Sequence, residues 1–252
     1  MNRNTLVGLI ALLVVALGAT LYYGLRPAPA KAPASTVTTT LTNPYTEHGA
    51  YYDVTASYPT TASLAAAADE SAVTMMQGWI IETVGQFKSD THAESPSPED
   101  IAAMGFDQGR KVSLEITYRA FSSPHTASYA FTTYQDTGGA HGNTFFRTFT
   151  FDTKTGAKLA LADLFAPGAD YLTTFSSIAR AKLPGILGDM ANTQMIEGGT
   201  APEARSFESW YLDGSSLALL FPPYAVAPYA AGPQTVLISF SDLADVLRPE
   251  FR

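Results

Sequence analysis

The sequence of 252 residues contains no cysteine. Disulfide bonds, thiolate nucleophiles and thiolate metal sites are therefore excluded, and so is a lipid anchor on an N-terminal cysteine. Charged residues make up only 15% of the chain and hydrophobic residues 46%. This balance excludes a disordered chain and is typical of a protein with a hydrophobic core.

Basic residues are also few. The part of the chain after Arg26 has 13 basic and 23 acidic residues, a net charge of about −10. This charge repels phosphate backbones, so we expect no nucleic-acid partner, whereas a cationic partner would be attracted. The alternative interpretation is that the charge only keeps the domain soluble.

The short motifs of common catalytic and cofactor sites are missing. The sequence has no HExxH, GxSxG, SxxK, Walker loop or GxGxxG. The four histidines (His48, His92, His125 and His141) lack the spacing of a metal-ligand pair on a helix. We therefore assign no catalytic residue and expect neither a metal nor a cofactor, although a site built from distant histidines and carboxylates stays open.

Residues 5–25 form an apolar run without a single charged residue. At ~1.5 Å per residue a helix of this length spans about 30 Å, the thickness of the hydrocarbon core of a membrane. The run predicts a transmembrane signal anchor over residues 1–26, with the membrane as partner through residues 5–25. A cleaved signal peptide is the alternative, but its apolar region has only ~7–15 residues. We expect a single-pass protein of the cell membrane whose C-terminal domain is extracytoplasmic.

The remaining sequence predicts an α+β fold. Alternating Pro and Ala followed by a Ser/Thr tract predict an extended stalk over residues 27–45. Apolar periodicity predicts two main helices, and alternating runs predict a mostly antiparallel sheet with the helices packed on one face. The predicted helices are 63–88, 169–183 and a short one capped by Ser241. The predicted strands are 51–58, 112–119, 127–134, 143–151, 215–221 and 233–240. Residues 152–156 are predicted to form a turn into 158–161, and residues 89–110 and 184–204 are predicted to be loops.

A glycine-rich segment lies between two predicted strands. It contains Gly138, Gly139, His141 and Gly142, and three glycines in five residues indicate positive φ angles or a close backbone approach. The imidazole of His141 on such a loop can hydrogen-bond a ligand or act as a base. The alternative is a special turn whose histidine only hydrogen-bonds the backbone.

A second unusual segment, residues 221–232, places Tyr224 and Tyr229 among three prolines and four alanines. Two tyrosines on a proline-rich loop can form a rigid aromatic platform for a peptide or a glycan. Equally, the rings can fold back over the edge of the sheet. The candidate ligand-binding residues are therefore Gly138, Gly139, His141, Gly142, Tyr224 and Tyr229.

Two longer runs resemble a known family. GGAHGNTFFRTFTFDTKTGAKLALADLF (138–165) and LALLFPPYAVAPYAAGPQTVLISFSDL (217–243) are similar to the PdaC/RsiV-like domain family, which includes the extracytoplasmic domain of lysozyme-sensing anti-sigma factors and the non-catalytic region of peptidoglycan deacetylases. Residues 46–90 resemble the small module that usually precedes this domain. The resemblance implies a small α+β N-terminal module over 46–105 and a PdaC/RsiV-like α+β domain over 106–248.

The resemblance implies binding more than catalysis. Deacetylases of this group owe their chemistry to a separate metal domain with an Asp and an HxxxH-type pair, and this sequence has no HxxxH. The first hypothesis is therefore a membrane-anchored binding or sensor module of the bacterial cell envelope, with lysozyme or another cationic protein, or a peptidoglycan glycan, as ligand. The alternatives are a cell-wall hydrolase or deacetylase using His141, and a non-catalytic structural subunit of the envelope.

Overall fold

The computed structural model describes residues 43–251. The predicted membrane anchor, and the predicted stalk as far as residue 42, lie outside these residues. Among the residues described, no helix combines the length and the apolar character needed to cross a bilayer. Tyr45, the last residue of the predicted stalk, is the first residue of a strand.

Residues 43–251 contain eight β-strands and four α-helices, joined by turns and short 3-10 helices. The strands are β1 (Tyr45–His48), β2 (Tyr52–Ala56), β3 (Val112–Ser122), β4 (Thr126–Asp136), β5 (Asn143–Asp152), β6 (Trp210–Asp213), β7 (Ser216–Phe221) and β8 (Gln234–Ser239). The α-helices are α1 (Ala66–Thr91), α2 (Pro98–Met104), α3 (Tyr171–Leu187) and α4 (Thr193–Gly199). An α+β fold is thus confirmed.

The strands form two sheets and not the single sheet predicted. Strands β1 to β5 lie in sequence order in a five-stranded sheet, and β6 to β8 form a three-stranded sheet. The pair β2 and β3 is parallel, and all other neighbours in the two sheets are antiparallel. Because β2 and β3 come from the two predicted segments 46–105 and 106–248, both segments contribute to one sheet.

The layers follow the order helix, sheet, sheet, helix. Helix α1 covers one face of the five-stranded sheet, and their side chains form a first hydrophobic core from residues 52–151. Helices α3 and α4 pack with the three-stranded sheet around a second core from residues 164–251. A smaller apolar cluster, which includes Ala130 and Tyr211, joins the two sheets. Helices therefore cover two outer faces, which corrects the prediction that they pack on one face of one sheet.

Strand β6 is attached to the five-stranded sheet by its backbone. The N–H of Leu212 donates to the hydroxyl of Ser128 at 3.2 Å, and the N–H of Trp210 donates to that of Thr148 at 3.3 Å. Ser128 is buried and its hydroxyl also lies 3.1 Å from that of Thr150. These bonds satisfy buried N–H groups of a short strand that the sequence did not reveal.

Helix α1 forms largely as its periodicity predicts. Met76, Ile80, Val84 and Phe87 recur at intervals of three and four residues and are buried on the sheet. The carboxylate of Asp69 in the first turn accepts the N–H groups of residues 62 and 64, which fixes the chain entering the helix. The helix begins and ends three residues later than predicted, at Ala66 and Thr91.

Both predicted loops contain helices. In the segment 89–110, Ser97 and Asp100 form a reciprocal capping box, and α2 starts at Pro98. In the segment 184–204, α3 continues to Leu187, and Asn192 caps α4 by accepting the N–H of Met195 at 3.0 Å. The prolines and glycines of these segments predicted loops, but local caps and buried side chains outweigh that composition.

The structure also corrects three smaller predictions of secondary structure. The hairpin expected over 158–161 is reduced to one bridge between Phe151 and Lys158, and a 3-10 helix, Leu161–Leu164, follows it. The short helix predicted from Ser241 is replaced by consecutive turns over residues 240–246. Strand β1 was not predicted, because its four residues lie next to the Pro-rich stalk.

Candidate functional site

The two segments singled out in the sequence meet in the folded chain. The rings of His141 and Tyr229 are stacked, with centroids 3.9 Å apart and planes inclined by 23°. The hydroxyl of Tyr224 lies 3.3 Å from Nε2 of His141, and the two tyrosine rings are 5.5 Å apart. We call these three residues the aromatic cluster. It joins the β4–β5 hairpin of the first sheet to the loop that follows β7 in the second sheet.

Hydrogen bonds fix the tautomer of His141. Its Nδ1 lies 2.9 Å from the carbonyl oxygen of Gly142, which only accepts, so Nδ1 carries the proton and donates it. Nε2 then accepts a hydrogen bond from the hydroxyl of Tyr224. The hydroxyl of Tyr229 donates to the same Gly142 carbonyl at 2.8 Å. One backbone carbonyl thus aligns both the imidazole and the stacked phenol.

Arg110 holds the hairpin loop that carries His141. Its guanidinium donates to the carbonyl oxygens of Gly138 and Gly139 at 2.9 and 3.0 Å. Gly138 has a φ of +89°, and its N–H donates to the carboxylate of Asp136 at 2.8 Å. Gly138 and Gly139 therefore shape the loop at its Arg110 end, whereas the contacts with the tyrosines come from His141 and Gly142.

Gly142 is required by a close approach. A Cβ atom at this position would overlap the ring of Tyr134. Neither Arg110 nor Tyr134 was identified from the sequence. Arg110 ends a segment predicted to be a loop, and Tyr134 belongs to an ordinary alternating strand, so no local signal marked either residue.

Residues 221–232 carry Tyr224 and Tyr229, and we call them the tyrosine loop. This loop packs against the end of helix α4. A Cβ atom at Gly199 would overlap the backbone carbonyl of Ala225, so only glycine permits this contact. Val226 and Ala227 are buried in the second core and anchor the loop from inside. Tyr224 has a φ of +70° and its side chain is 54% exposed. An L-residue in this region costs roughly 1–2 kcal/mol, so the loop holds an exposed aromatic ring in an unfavourable backbone conformation.

A cleft of about 290 Å³ borders the tyrosine loop. Its walls include the exposed ring of Phe145, which follows the His141 loop, and Pro222 and Ala225 from the tyrosine loop. Arg205, Glu208 and two serines supply polar groups at its edge. The surface beside the aromatic cluster is therefore concave and of mixed polarity, as expected for a ligand site.

The aromatic cluster combines three rings with hydroxyl groups. Within residues 43–251, no group of three or more His, Asp or Glu side chains is arranged to hold a metal ion. The hydrogen-bond partners of the His141 ring are a carbonyl and a phenol. The cluster offers flat aromatic faces and hydroxyl groups, which suit stacking and hydrogen bonding to a neutral ligand.

A cluster of polar side chains, separate from the aromatic cluster, lies between β1, β2 and α1. The carboxylate of Glu47 accepts hydrogen bonds from Tyr45, from Tyr52 at 2.5 Å and from Lys88 at 2.7 Å, and Lys88 also pairs with Glu94 at 2.8 Å. Burial alone would raise the pKa of Glu47, but the hydrogen bonds from Lys88, Tyr45 and Tyr52 outweigh it and lower the pKa to about 2. The hydrogen bonds to Glu47 and Glu94 raise the pKa of Lys88 despite its burial.

This polar cluster is a structural attachment. The side chains of Lys88 and Glu47 are only 16% and 27% exposed, and they connect the end of α1 to the edge strand β1. Burial and the hydrogen bond to Glu47 raise the pKa of Tyr45 to about 12. Glu47, Lys88 and Tyr45 therefore keep their ordinary charge at neutral pH, and the ion pair holds the edge strand on the helix.

Comparison with known proteins identifies the second half of the chain. Residues 162–241 match the family described as "Protein of unknown function (DUF3298)". The match covers most of the second core and includes Tyr224 and Tyr229, but His141 precedes it. The resemblance that the sequence motifs indicated is thereby confirmed.

The chain is also similar to a named protein and to solved structures. The chain is 32% identical over 139 residues to the peptidoglycan-N-acetylmuramic acid deacetylase PdaC of Bacillus subtilis; the alignment covers 55% of this chain and 30% of that protein. A crystal structure of a DUF3298 family member from Bacteroides fragilis shares the fold, with a TM-score of 0.54 and 20% identity over 78% of this chain and 84% of that one. A DUF3298 family protein from Pseudomonas aeruginosa gives a TM-score of 0.46 and 17% identity over 79% and 85% of the two chains.

Proposed function

We propose that this protein is a non-catalytic binding module of the bacterial cell envelope, and that its aromatic cluster binds the glycan of peptidoglycan. The similarity to PdaC supports this ligand class, because the name of that protein specifies peptidoglycan N-acetylmuramic acid as its substrate. The chain covers less than a third of PdaC, so the similarity by itself does not bring an activity with it.

The observation that carries the proposal is Tyr224. A ring of this size is usually buried, yet this one is 54% exposed, and its backbone has a φ of +70°. Tyr224 also lies beside His141, whose own ring is stacked on Tyr229. A loop that keeps an aromatic ring exposed at a cost in backbone energy is typical of a binding surface.

Saccharides match this surface chemically. One face of a pyranose ring carries C–H groups that pack against an aromatic ring, while its hydroxyl and acetamido groups need hydrogen-bond donors and acceptors. The aromatic cluster provides stacked rings together with the phenol of Tyr224, and the adjacent cleft adds Arg205 and Glu208. A neutral glycan also avoids repulsion by the acidic domain.

Binding explains the geometry better than hydrolysis by His141. A general base needs a free nitrogen aimed at its substrate and often a carboxylate that orients the ring. Here Nδ1 donates to the Gly142 carbonyl and Nε2 accepts from Tyr224. Within residues 43–251, the ion pairs of histidine with carboxylates involve His48 and His92 and not His141.

Co-sedimentation of the full-length protein with purified, insoluble peptidoglycan tests the proposal. Tyr224→Gly removes the ring at a position where glycine accepts the positive φ, so we expect the fold to remain and binding to fall at least tenfold. Leu237→Ala is the matched control, because Leu237 is equally exposed at 54% but lies on β8. Unchanged co-sedimentation of folded Tyr224→Gly would disprove the role of the aromatic cluster.

A cationic protein such as lysozyme is the second candidate ligand. The net charge of about −10 beyond Arg26 favours it, because opposite charges accelerate and strengthen association. The two candidates differ in their response to salt. Binding carried by charge should weaken strongly between 50 and 500 mM NaCl, whereas stacking on a neutral glycan should change little.

We further propose that residues 5–25 anchor the protein in the cell membrane with the domain on the extracytoplasmic side. The uncharged apolar run supports this proposal. Cell fractionation followed by protease treatment of intact spheroplasts tests it. The protein should sediment with membranes and its domain should be digested from outside; recovery in the soluble cytosolic fraction would disprove it.

A further inference from the structure

A second cleft, of about 420 Å³, lies on the other face of the five-stranded sheet beside α1. It is lined by one face of α1 and by the ends of β4 and β5. The lining residues used below are Trp79, Glu82, Gln86, Gln135, Thr137 and Arg147. We infer that this cleft, the Trp79 cleft, is a second saccharide subsite, which takes an uncharged sugar unit. The inference rests on the proposed function for its ligand class.

Trp79 forms a rigid aromatic wall. Its ring meets Phe131 and Phe149 edge to face, with centroids 5.1 and 6.1 Å apart and planes inclined by 60° and 63°. Both phenylalanines are buried in the first core, so they fix the indole. Trp79 itself is only half-buried, and the part that is not covered by the core faces the cleft. A preorganised ring loses little entropy when a sugar packs on it.

Polar groups surround this wall on two sides. Glu82, Gln86 and Asp90 follow one another at intervals of four along α1, so they project from one helix face. The side-chain amide of Gln86 donates to Asp90 at 2.6 Å, which sets the orientation of the amide. Gln135 and Arg147 face them from the sheet. Carboxylates therefore lie on the helix side of the cleft, the guanidinium lies on the sheet side, and each side also has a glutamine amide.

The charges of the Trp79 cleft select the class of ligand. Glu82 and Asp90 would repel a phosphate or a strongly anionic ligand, and Arg147 offsets one of their two negative charges. The guanidinium of Arg147 lies 5.3 Å from the centre of the Phe149 ring, which keeps it at the wall. A neutral ligand with many hydroxyl groups and one apolar face can use all of these groups at once.

The Trp79 cleft and the aromatic cluster lie at the same end of the β4–β5 hairpin. Gln135 pairs with Asn143 across the hairpin, Thr137 follows β4, and the His141 loop comes directly after Thr137. The two sites therefore lie near the same turn of the chain, although the Trp79 cleft opens on the α1 face of the sheet.

Tryptophan fluorescence tests the inference directly. The chain has two tryptophans, and Trp210 is buried with 6% exposure, so a ligand in the cleft should alter the emission of Trp79. The full-length protein is titrated with chitotetraose, a soluble oligomer of N-acetylglucosamine. We expect a saturable change in emission that persists in Trp210→Phe and disappears in Trp79→Phe.

Two variants on one helix measure the contribution of the polar side. Gln86→Ala should weaken chitotetraose binding about five- to tenfold, since it removes a hydrogen-bonding group of the cleft. Gln77→Ala is the matched control, because Gln77 lies on α1 but does not line the Trp79 cleft. Equal affinities of the two variants, or no change in emission on titration, would overturn the inference.

The same titrations separate the inference from the proposed function. If Tyr224→Gly abolishes binding to peptidoglycan while chitotetraose leaves the Trp79 emission unchanged, the aromatic cluster stands and the second subsite is disproved. If Gln86→Ala weakens binding and Tyr224→Gly does not, the Trp79 cleft stands and the aromatic cluster is disproved.

Discussion

The two halves of the domain are held together in different ways. The half built on residues 52–151 has one long helix across five strands, and the half-buried pair of Lys88 and Glu47 ties its edge strand to that helix. The half built on residues 164–251 has a smaller sheet and an aromatic core, and ion pairs such as Arg205–Glu203 lie at its surface. The stability of the first half therefore depends on pH through its charges, whereas the stability of the second half depends mainly on packing.

This comparison also explains why neither half contains the whole site. His141 belongs to the first half, and Tyr224 and Tyr229 belong to the second. The family match covers residues 162–241 and so includes only the tyrosines. The aromatic cluster exists because the two sheets pack together, so the proposed binding site depends on the interface between the halves.

The largest expected effect tests whether the halves unfold as one unit. Phe131 and Phe175 are fully buried in the first and second cores, and replacing either with alanine should lower the free energy of unfolding by about 3–5 kcal/mol. Because Leu212 donates to Ser128 across the sheets, both variants should show one calorimetric transition at a lower Tm. Two separate transitions in either variant would show that the halves are independent.

The next largest effect concerns the charges of the first half. Glu47→Gln should lower the free energy of unfolding at pH 7 by up to about 3 kcal/mol, because the folded-state pKa is about 2 and the ordinary value is 4.5. A lowered carboxyl pKa contributes stability that is complete above about pH 4.5 and is lost as the pH falls through about 2. Urea unfolding at pH 7, 4.5 and 3 measures it.

The control for this pH dependence is Glu70→Gln on the exposed side of α1. Its effect on stability at pH 7 should be small. The difference between wild type and Glu47→Gln should shrink below pH 4.5. A difference that stays constant down to pH 3 would contradict the assignment of the lowered pKa to Glu47.

A smaller effect tests how the second half positions its tyrosines. Gly199→Ala should destabilise the protein by about 1–3 kcal/mol and displace Tyr224, because the new methyl group overlaps the carbonyl of Ala225. Gly198→Ala is a close control, since nothing lies within 4 Å of its added Cβ atom and alanine favours the helix. Urea unfolding compares the two, and equal stabilities would refute the role of the Gly199 contact.

The smallest expected effect concerns the hydrogen bond from Tyr229 to Gly142, which joins the two halves at the aromatic cluster. Tyr229→Phe removes the hydroxyl that donates to the Gly142 carbonyl at 2.8 Å, and it should cost about 0.5–1.5 kcal/mol. Tyr171→Phe serves as the control, because the Tyr171 ring packs on Phe165 and Phe175 through its faces and edges. If both substitutions cost the same in urea unfolding, the hydrogen bond does not contribute.

Much of the secondary structure could be predicted because it depends on local periodicity. The stripe of Met76, Ile80, Val84 and Phe87 identified α1, and alternating residues identified β3, β4 and β5. The misses have a common cause. Helices α2 and α4 each have only seven residues, and their capping side chains counted for more than their glycines and prolines. Strand β6 has four residues and is stabilised by hydroxyls that lie more than 60 residues away.

By itself, the sequence determined the absence of cysteine chemistry, the acidic charge, the α+β class and the two loops with unusual composition, because each follows from residue type or from short-range spacing. Only the tertiary structure decided that there are two sheets, that Arg110 supports the His141 loop, and that His141 stacks on Tyr229. The residues of that stack are 88 positions apart, and their contact depends on how the two sheets pack, which local patterns do not encode.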